Sequence, residues 1–94
     1  MVYIDAVHYE QDTYDNEYIA KMKYSNNISL KAIQECTKSE LIAFIKQKPN
    51  RTKTKYYHNG RWVEGEDVRV VDDRYLRTDA NDIKADNLGE LPRY

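Results

Sequence analysis

Asn59-Gly60, set between Lys55-Tyr56-Tyr57-His58 and Arg61-Trp62-Val63, constrains this chain more than any other pair of residues. A two-residue turn that reverses a strand onto its neighbour needs positive φ at both central positions, and Asn-Gly meets that need at the lowest steric cost. The spacing predicts a hairpin in which His58 opposes Arg61 and Tyr57 opposes Trp62. The second of these is an aromatic cross-strand pair worth about 0.5 to 1 kcal/mol. A chain built around such a hairpin contains at least one antiparallel sheet.

The same period of two recurs upstream. From Val2 to Tyr9, Val2, Ile4, Ala6 and His8 alternate with Tyr3, Asp5, Val7 and Tyr9. After the polar run 10–16, Tyr18, Ala20, Met22 and Tyr24 alternate with Ile19, Lys21 and Lys23. Both segments are predicted strands with one buried face. Ser25-Asn26-Asn27 reads as a turn, since Asn tolerates positive φ, and Ile28-Ser29-Leu30 as a short third strand. Thr37-Lys38-Ser39-Glu40 is a capping box and opens the single predicted helix. Its stripe is Leu41, Phe44 and Ile45, with Ile42 beside it; Lys46 and Lys48 sit near its negative end, and Pro49 stops it. Beyond the hairpin, Gly65-Glu66-Asp67 is read as a turn into Val68-Arg69-Val70-Val71, and Asp72-Asp73 as a turn into Tyr75-Leu76-Arg77. The expected fold class is α+β, a small antiparallel sheet of about five to six strands in hairpins, covered by one helix and closed by an irregular C-terminal tail.

Ninety-four residues make room for one domain, spanning 1–94. Apolar residues make up 40% and charged residues 33%, so the core must be thin. Nine tyrosines ease that shortage, because each buries a ring while leaving its hydroxyl in water. Cys36 is the only cysteine, which rules out an intramolecular disulfide and a cysteine-type zinc site. With no basic leader before an apolar run and no long apolar stretch, the expected location is cytoplasmic and away from membranes.

The net charge of −1 conceals a segregation. Residues 1–20 carry five acids and no Lys or Arg, residues 21–56 carry nine bases against Glu35 and Glu40, and residues 57–94 are acidic again. Blocks of this kind pair with one another across a folded surface, or present a patch to a partner.

The tail is dense in polar side chains: Tyr75-Leu76-Arg77-Thr78-Asp79, then a polar loop with Asn81, then Asp86-Asn87-Leu88-Gly89-Glu90-Leu91-Pro92. Tyr75 to Thr78, Asn81, Asp86 to Leu88 and Leu91-Pro92 follow, in order, the closing motif of the small bacterial and phage proteins catalogued as domain of unknown function 3892, which this chain resembles. The resemblance covers nearly the whole chain, is strongest from Trp62 onward and is weak from Pro49 to Lys55. It implies a bacterial or phage setting and supplies no functional residues.

Two roles for the tail remain open from the residues themselves. Arg77 can pair with Asp79 or Asp86 while Thr78 and Asn87 satisfy loop backbone, which would lock the tail to the sheet. Alternatively Trp62, Tyr75, Arg77, Thr78, Asp79, Asn81 and Asn87 form a polar pocket for a protein segment or a small ligand.

Other chemistries are less well served. His8, His58 and Cys36 are far apart in sequence, although a cysteine just before a helix N-terminus can hold a thiolate; the competing reading is a small, partly buried hydrophobe. An EF-hand match starting at Asp79 fails where Lys84 replaces the turn glycine, leaving Asp79, Asp82 and Asp86 as a looser cation set against ordinary Asx turns. Lys46, Lys48, Arg51, Lys53 and Lys55 beside Tyr56, Tyr57 and Trp62 are the mixture that binds single-stranded nucleic acid, opposed by acidic flanks. The expectation is a non-enzymatic binding or adaptor module with no cofactor, whose partner is a protein or a small molecule. A nucleic-acid binder and a small enzyme are the alternatives.

Overall fold

Two strands of this protein change face partway along their length, and that change shapes everything around them. In the computed structural model, which describes residues 1–79 and 84–94, β1 (Val2–Gln11) pairs antiparallel with β2 (Glu17–Ser25). The register shifts between Ile4 and Ala6 and again between His8 and Tyr9. Asp5 is the extra residue of β1 at the first shift and Ala20 that of β2 at the second, so the second bulge restores the register lost at the first. Strict alternation would put Ile4 and Val7 on opposite faces, and likewise Ile19 and Met22. With the bulges, all four are buried in one core. The two uninterrupted alternating faces expected from sequence are corrected accordingly, because a bulge leaves no mark in a pattern of apolar and polar residues.

The turn between β1 and β2 is held by Asp12, whose Oδ1 accepts from the amides of Tyr14 (2.8 Å) and Asn16 (3.0 Å), with Asp15 at φ 61°. The third strand is not Ile28-Ser29-Leu30, which lies in a turn-rich loop. It is β3 (Gln34–Thr37), antiparallel to β2. Helix α1 (Lys38–Gln47) starts at the capping box read from sequence: the Thr37 hydroxyl accepts from the Glu40 amide (3.2 Å), and the Glu40 carboxylate accepts from the Thr37 amide (2.9 Å). Leu41 and Ile45 are its buried residues.

After the helix, β4 (Thr52–His58) returns beside β1 in parallel, pairing Val2 with Thr52 and Ile4 with Thr54. The sheet is therefore mixed, antiparallel at every other pairing, because the helix carries the chain back across the sheet as a crossover. Its partner β5 (Arg61–Asp67) completes the hairpin, with Asn59 at φ 50°, Gly60 at φ 81°, and Tyr57 opposite Trp62 as expected. Gly65 is not a turn residue. It sits within β5, where an added Cβ would come 2.4 Å from Thr54 Oγ1, the hydroxyl that accepts from the Glu66 amide. The strand order is β3-β2-β1-β4-β5, and a second two-stranded sheet is made by β6 (Arg69–Val71) and β7 (Tyr75–Arg77) around Asp72 and Asp73, both at φ 54°.

The core lies between one face of the large sheet and a layer made of α1, the β6–β7 hairpin and the tail. Ile4, Val7, Ile19 and Met22 meet Leu41 and Ile45 from the helix, Val68 from the junction between β5 and β6, Leu76 from the small sheet, and Leu88 from the tail. The expected α+β class with a covering helix holds.

Candidate functional site

Asp86 is the centre of the tail. Its carboxylate, 1% exposed, accepts from the Ile19 amide (2.9 Å) and the Leu76 amide (2.9 Å) and pairs with Lys38 Nζ at 2.7 Å. A single side chain thus joins β2, β7 and the first turn of the helix, and uses both oxygens doing so. The tail backbone adds to this: Asn87 donates to the Leu76 carbonyl (2.8 Å) and Thr78 to the Asn87 carbonyl (3.1 Å). Further on, Val7 donates to the Pro92 carbonyl (2.9 Å), so the tail also takes the stretch of β1 edge that β4 leaves open. Arg93 closes it against Glu17 (3.2 Å) and lies 3.9 Å over the Tyr9 ring.

Arg77 is spent in the same way. It is 5% exposed, makes a bidentate pair with Asp79 (2.8 Å for each bond) and donates through Nη1 to the Ala85 carbonyl (2.9 Å). The Asp79 carboxylate holds the guanidinium even more firmly charged than usual. The Asn87 side chain accepts from the Gly89 amide (2.9 Å), an Asx turn with Gly89 at φ 77°. Of the two roles open for these residues in the sequence, the lock is the one the geometry builds. The looser cation set fares similarly: Asp79 faces Arg77 and Asp86 faces protein donors, while Asp82 lies outside the described residues, as does Asn81.

Tyr75 and Trp62 sit in different surroundings. Tyr75 lies 5.4 Å from Lys38 Nζ and lines a cavity of about 450 Å³ with Tyr18, Lys84 and Asp86. Thr78 lines a different one, about 420 Å³, with Tyr56, Gly65 and Leu88. Trp62 lines neither. It sits on β5 with its ring against Tyr57, centroids 5.3 Å apart, and with Lys55 Nζ 4.5 Å from its own centroid.

Lys55 is the residue that sequence reasoning missed. The sequence places it among the basic residues expected to meet a polyanion, yet it is fully buried. Its ammonium donates to the carbonyls of Asn27 (3.1 Å), Ile28 (3.3 Å) and Leu30, and Trp62 covers it. Burial lowers its pKa, with Asp5 opposing that effect. Asp5, the bulge residue of β1, holds the other end of the same loop by accepting from the Ala32 amide at 2.8 Å. Two buried charges therefore shape residues 26–33, and the loop turns Leu30 (59% exposed) and Ile33 (88% exposed) outward. The available signal is the pair Leu30 and Ile33 beside the Asn- and Ser-rich turn, of which only Leu30 falls in the expected strand Ile28-Ser29-Leu30.

Part of the rest of the basic block is matched. Lys46 pairs with Asp73 (3.1 Å), Lys53 with Glu64 and Asp67 (3.6 Å each), and Lys21 with Glu35 (3.6 Å). Lys38, Lys46 and Lys53 thus pair with acids of the C-terminal block, so pairing across the folded surface accounts for part of the charge segregation.

The nucleophile candidates are scattered. Cys36 contacts Met22 Sδ at 3.3 Å, and burial, with Glu40 and Glu35 nearby, pushes its pKa up to about 11, so the thiol stays protonated. His8 faces Tyr94 and His58 faces Tyr56. Among the described residues no group of three or more His, Cys, Asp or Glu is placed to hold a metal ion, and no helix is long and apolar enough to cross a membrane.

No curated protein and no solved structure is matched by this chain. Residues 3–92 match the family model described as "Protein of unknown function (DUF3892)", so the lock centred on Asp86 and the hairpin carrying Tyr57 and Trp62 are features of a chain that belongs to that family.

Proposed function

We propose that this protein is a non-enzymatic binding module that docks a protein partner on the outer face of the β4–β5 hairpin and the adjoining loop 26–33. One observation carries the reading: Tyr57 (58% exposed) lies against Trp62, whose ring covers the Lys55 ammonium, and Lys55 with Asp5 holds a loop that keeps Leu30 and Ile33 in solvent. Exposed apolar side chains on backbone that is already ordered bind at low entropic cost, and large apolar side chains left in solvent on a small chain point to an interaction surface. Arg61 and His58 at the hairpin tip supply a polar rim. A reducing bacterial or phage cytoplasm is the setting that goes with this reading. Against catalysis stand the protonated Cys36 and the separate surroundings of the two histidines; against nucleic acid stand the matched Lys46 and Lys53 and the buried Lys55.

The test is affinity capture with mass spectrometry, followed by binding of the purified partner to variants of stable fold. Tyr57→Ala and Ile33→Ser are the probes, because Trp62 also covers Lys55 and its removal would disturb the loop. Each substitution should weaken the complex at least about tenfold, as hot-spot truncation does, with an unchanged melting curve. Full binding by both variants would refute the surface. Salt-sensitive binding of a single-stranded oligonucleotide would promote the nucleic-acid reading instead.

A further inference from the structure

Within the basic block, Lys48 and Arg51 form no ion pair among the described residues, and both open onto one cavity. It measures about 760 Å³ and is lined also by Val2, Asn26, Phe44 and Pro49. Val2, Asn26 and Phe44 are shared with a neighbouring cavity of about 310 Å³, whose wall continues through Tyr24 and Leu41 to Cys36 and Glu40. The two make one groove along the first strand and the helix, cationic at the Lys48 end and apolar along its middle. At the far end the Glu40 carboxylate is kept ionised by the Thr37 amide, so an anion is repelled there and drawn to Lys48 and Arg51. The Cys36 thiol beside it is neutral and adds a soft apolar wall. The charge layout thus fixes the direction in which an elongated anionic molecule would lie.

We propose that this groove binds a single-chain amphiphile with an anionic head, a carboxylate or phosphate monoester held by Lys48 and Arg51, its aliphatic chain running past Val2, Phe44 and Leu41 toward Cys36. Arg51 offers a planar fork and Lys48 a point charge, a combination suited to either head group. The size is that of an ordinary small-ligand site. This site does not depend on the hairpin surface: it takes Asn26 from the start of loop 26–33 but none of Leu30, Ile33, Tyr57 or Trp62.

Calorimetric titration below the micellar range tests the proposal with four probes on the full chain: decanoate, decyl phosphate, decanol and decyltrimethylammonium. Decanoate and decyl phosphate should saturate one site, with decanol weaker by about tenfold, the worth of one charge-assisted contact, and the cationic probe weaker still. Lys48→Gln with Arg51→Gln should bring decanoate down to the level of decanol and leave decanol itself unchanged. Asn26→Trp, which fills the shared part of the groove, should abolish all binding, while Tyr57→Ala should have no effect. Equal affinity for decanoate and decanol, undiminished decanoate binding by the double variant, or no saturable binding by any probe would overturn the assignment.

Discussion

The tail and the β4–β5 hairpin both carry conspicuous polar and aromatic residues, and the structure uses them in opposite ways. The tail turns its side chains inward: Asp86 joins two strands and the helix, Arg77 clasps Asp79 and the Ala85 carbonyl, and Leu88 enters the core. The hairpin turns its side chains outward, leaving Tyr56 and Tyr57 largely in solvent, and uses a single buried cation, Lys55, to position a neighbouring loop. Density of polar residues is therefore a poor guide to which side chains face solvent. In a chain with so thin a core, an unpaired buried polar group is costly, and the residues that supply partners form as distinct a motif as any site would.

Asp86→Ala strikes the tail hardest. It strips the Lys38 ammonium of its partner and leaves the Ile19 and Leu76 amides unsatisfied, so urea melts should show a loss of about 3 to 5 kcal/mol. Arg77→Ala should lower the midpoint in the same sense by a smaller step. A normal melt for Asp86→Ala would mean that the tail is held by apolar contact alone and that the contrast between the two regions is false.

Replacing Asn59-Gly60 by Ala-Ala attacks the hairpin instead. Both positions have φ > 0, where a Cβ is opposed, and the expected cost is about 2 to 3 kcal/mol in total. The Tyr57 and Trp62 cross-strand nuclear Overhauser contacts should weaken first, while those from Leu88 to the core persist. Loss of both sets together would show that the regions do not behave separately.

A smaller effect, about 1 to 2 kcal/mol, is expected for Gly65→Ala, because the new methyl displaces the Thr54 hydroxyl and costs the Glu66 amide its acceptor. Thr54→Val should reproduce most of that loss. If Gly65→Ala is neutral, the hairpin is less tightly registered on the sheet than the geometry shows.

Cys36 belongs with the inward-facing residues, and here the readout is chemical. Its folded pKa is raised from 9.0 to about 11. The thiol thus favours the folded state fully below pH 9, and that contribution is lost as the pH rises from 9 through 11, since the unfolded chain ionises first. Iodoacetamide should modify the folded protein slowly at pH 8 and speed up with a midpoint near pH 11, whereas chain unfolded in urea should react with a midpoint near 9. A folded-state midpoint at or below 9 would return Cys36 to the list of reactive groups.

Much of this contrast can be read from residues, and the unread part has physical causes. The Asn59-Gly60 turn and the Thr37 capping box are local: the residues that make them are adjacent, and both are present as expected. The bulges at Asp5 and Ala20 are invisible to alternation, which predicts which residues are apolar but not where a strand gains one. The parallel pairing of β1 with β4 depends on how a crossover packs, a long-range matter that no turn signal records. Lys55 looked like an exposed cation because its three carbonyl partners come from a loop about 25 residues earlier. The tail signature was legible as a motif, while its role was not, since Asp86 reaches Ile19 across 67 positions.

Native-state hydrogen exchange on the amides of Ile19, Leu76, Thr78 and Asn87 tests the central claim most directly, because all four donate to the lock formed around Asp86 and the tail. The account predicts that they exchange only through global unfolding, with the same denaturant dependence as core amides such as Met22, while amides at the Asn59-Gly60 tip exchange through local opening. Exchange of the four at low free energy, independent of denaturant and with the core still protected, would contradict it and make the tail a separately opening segment.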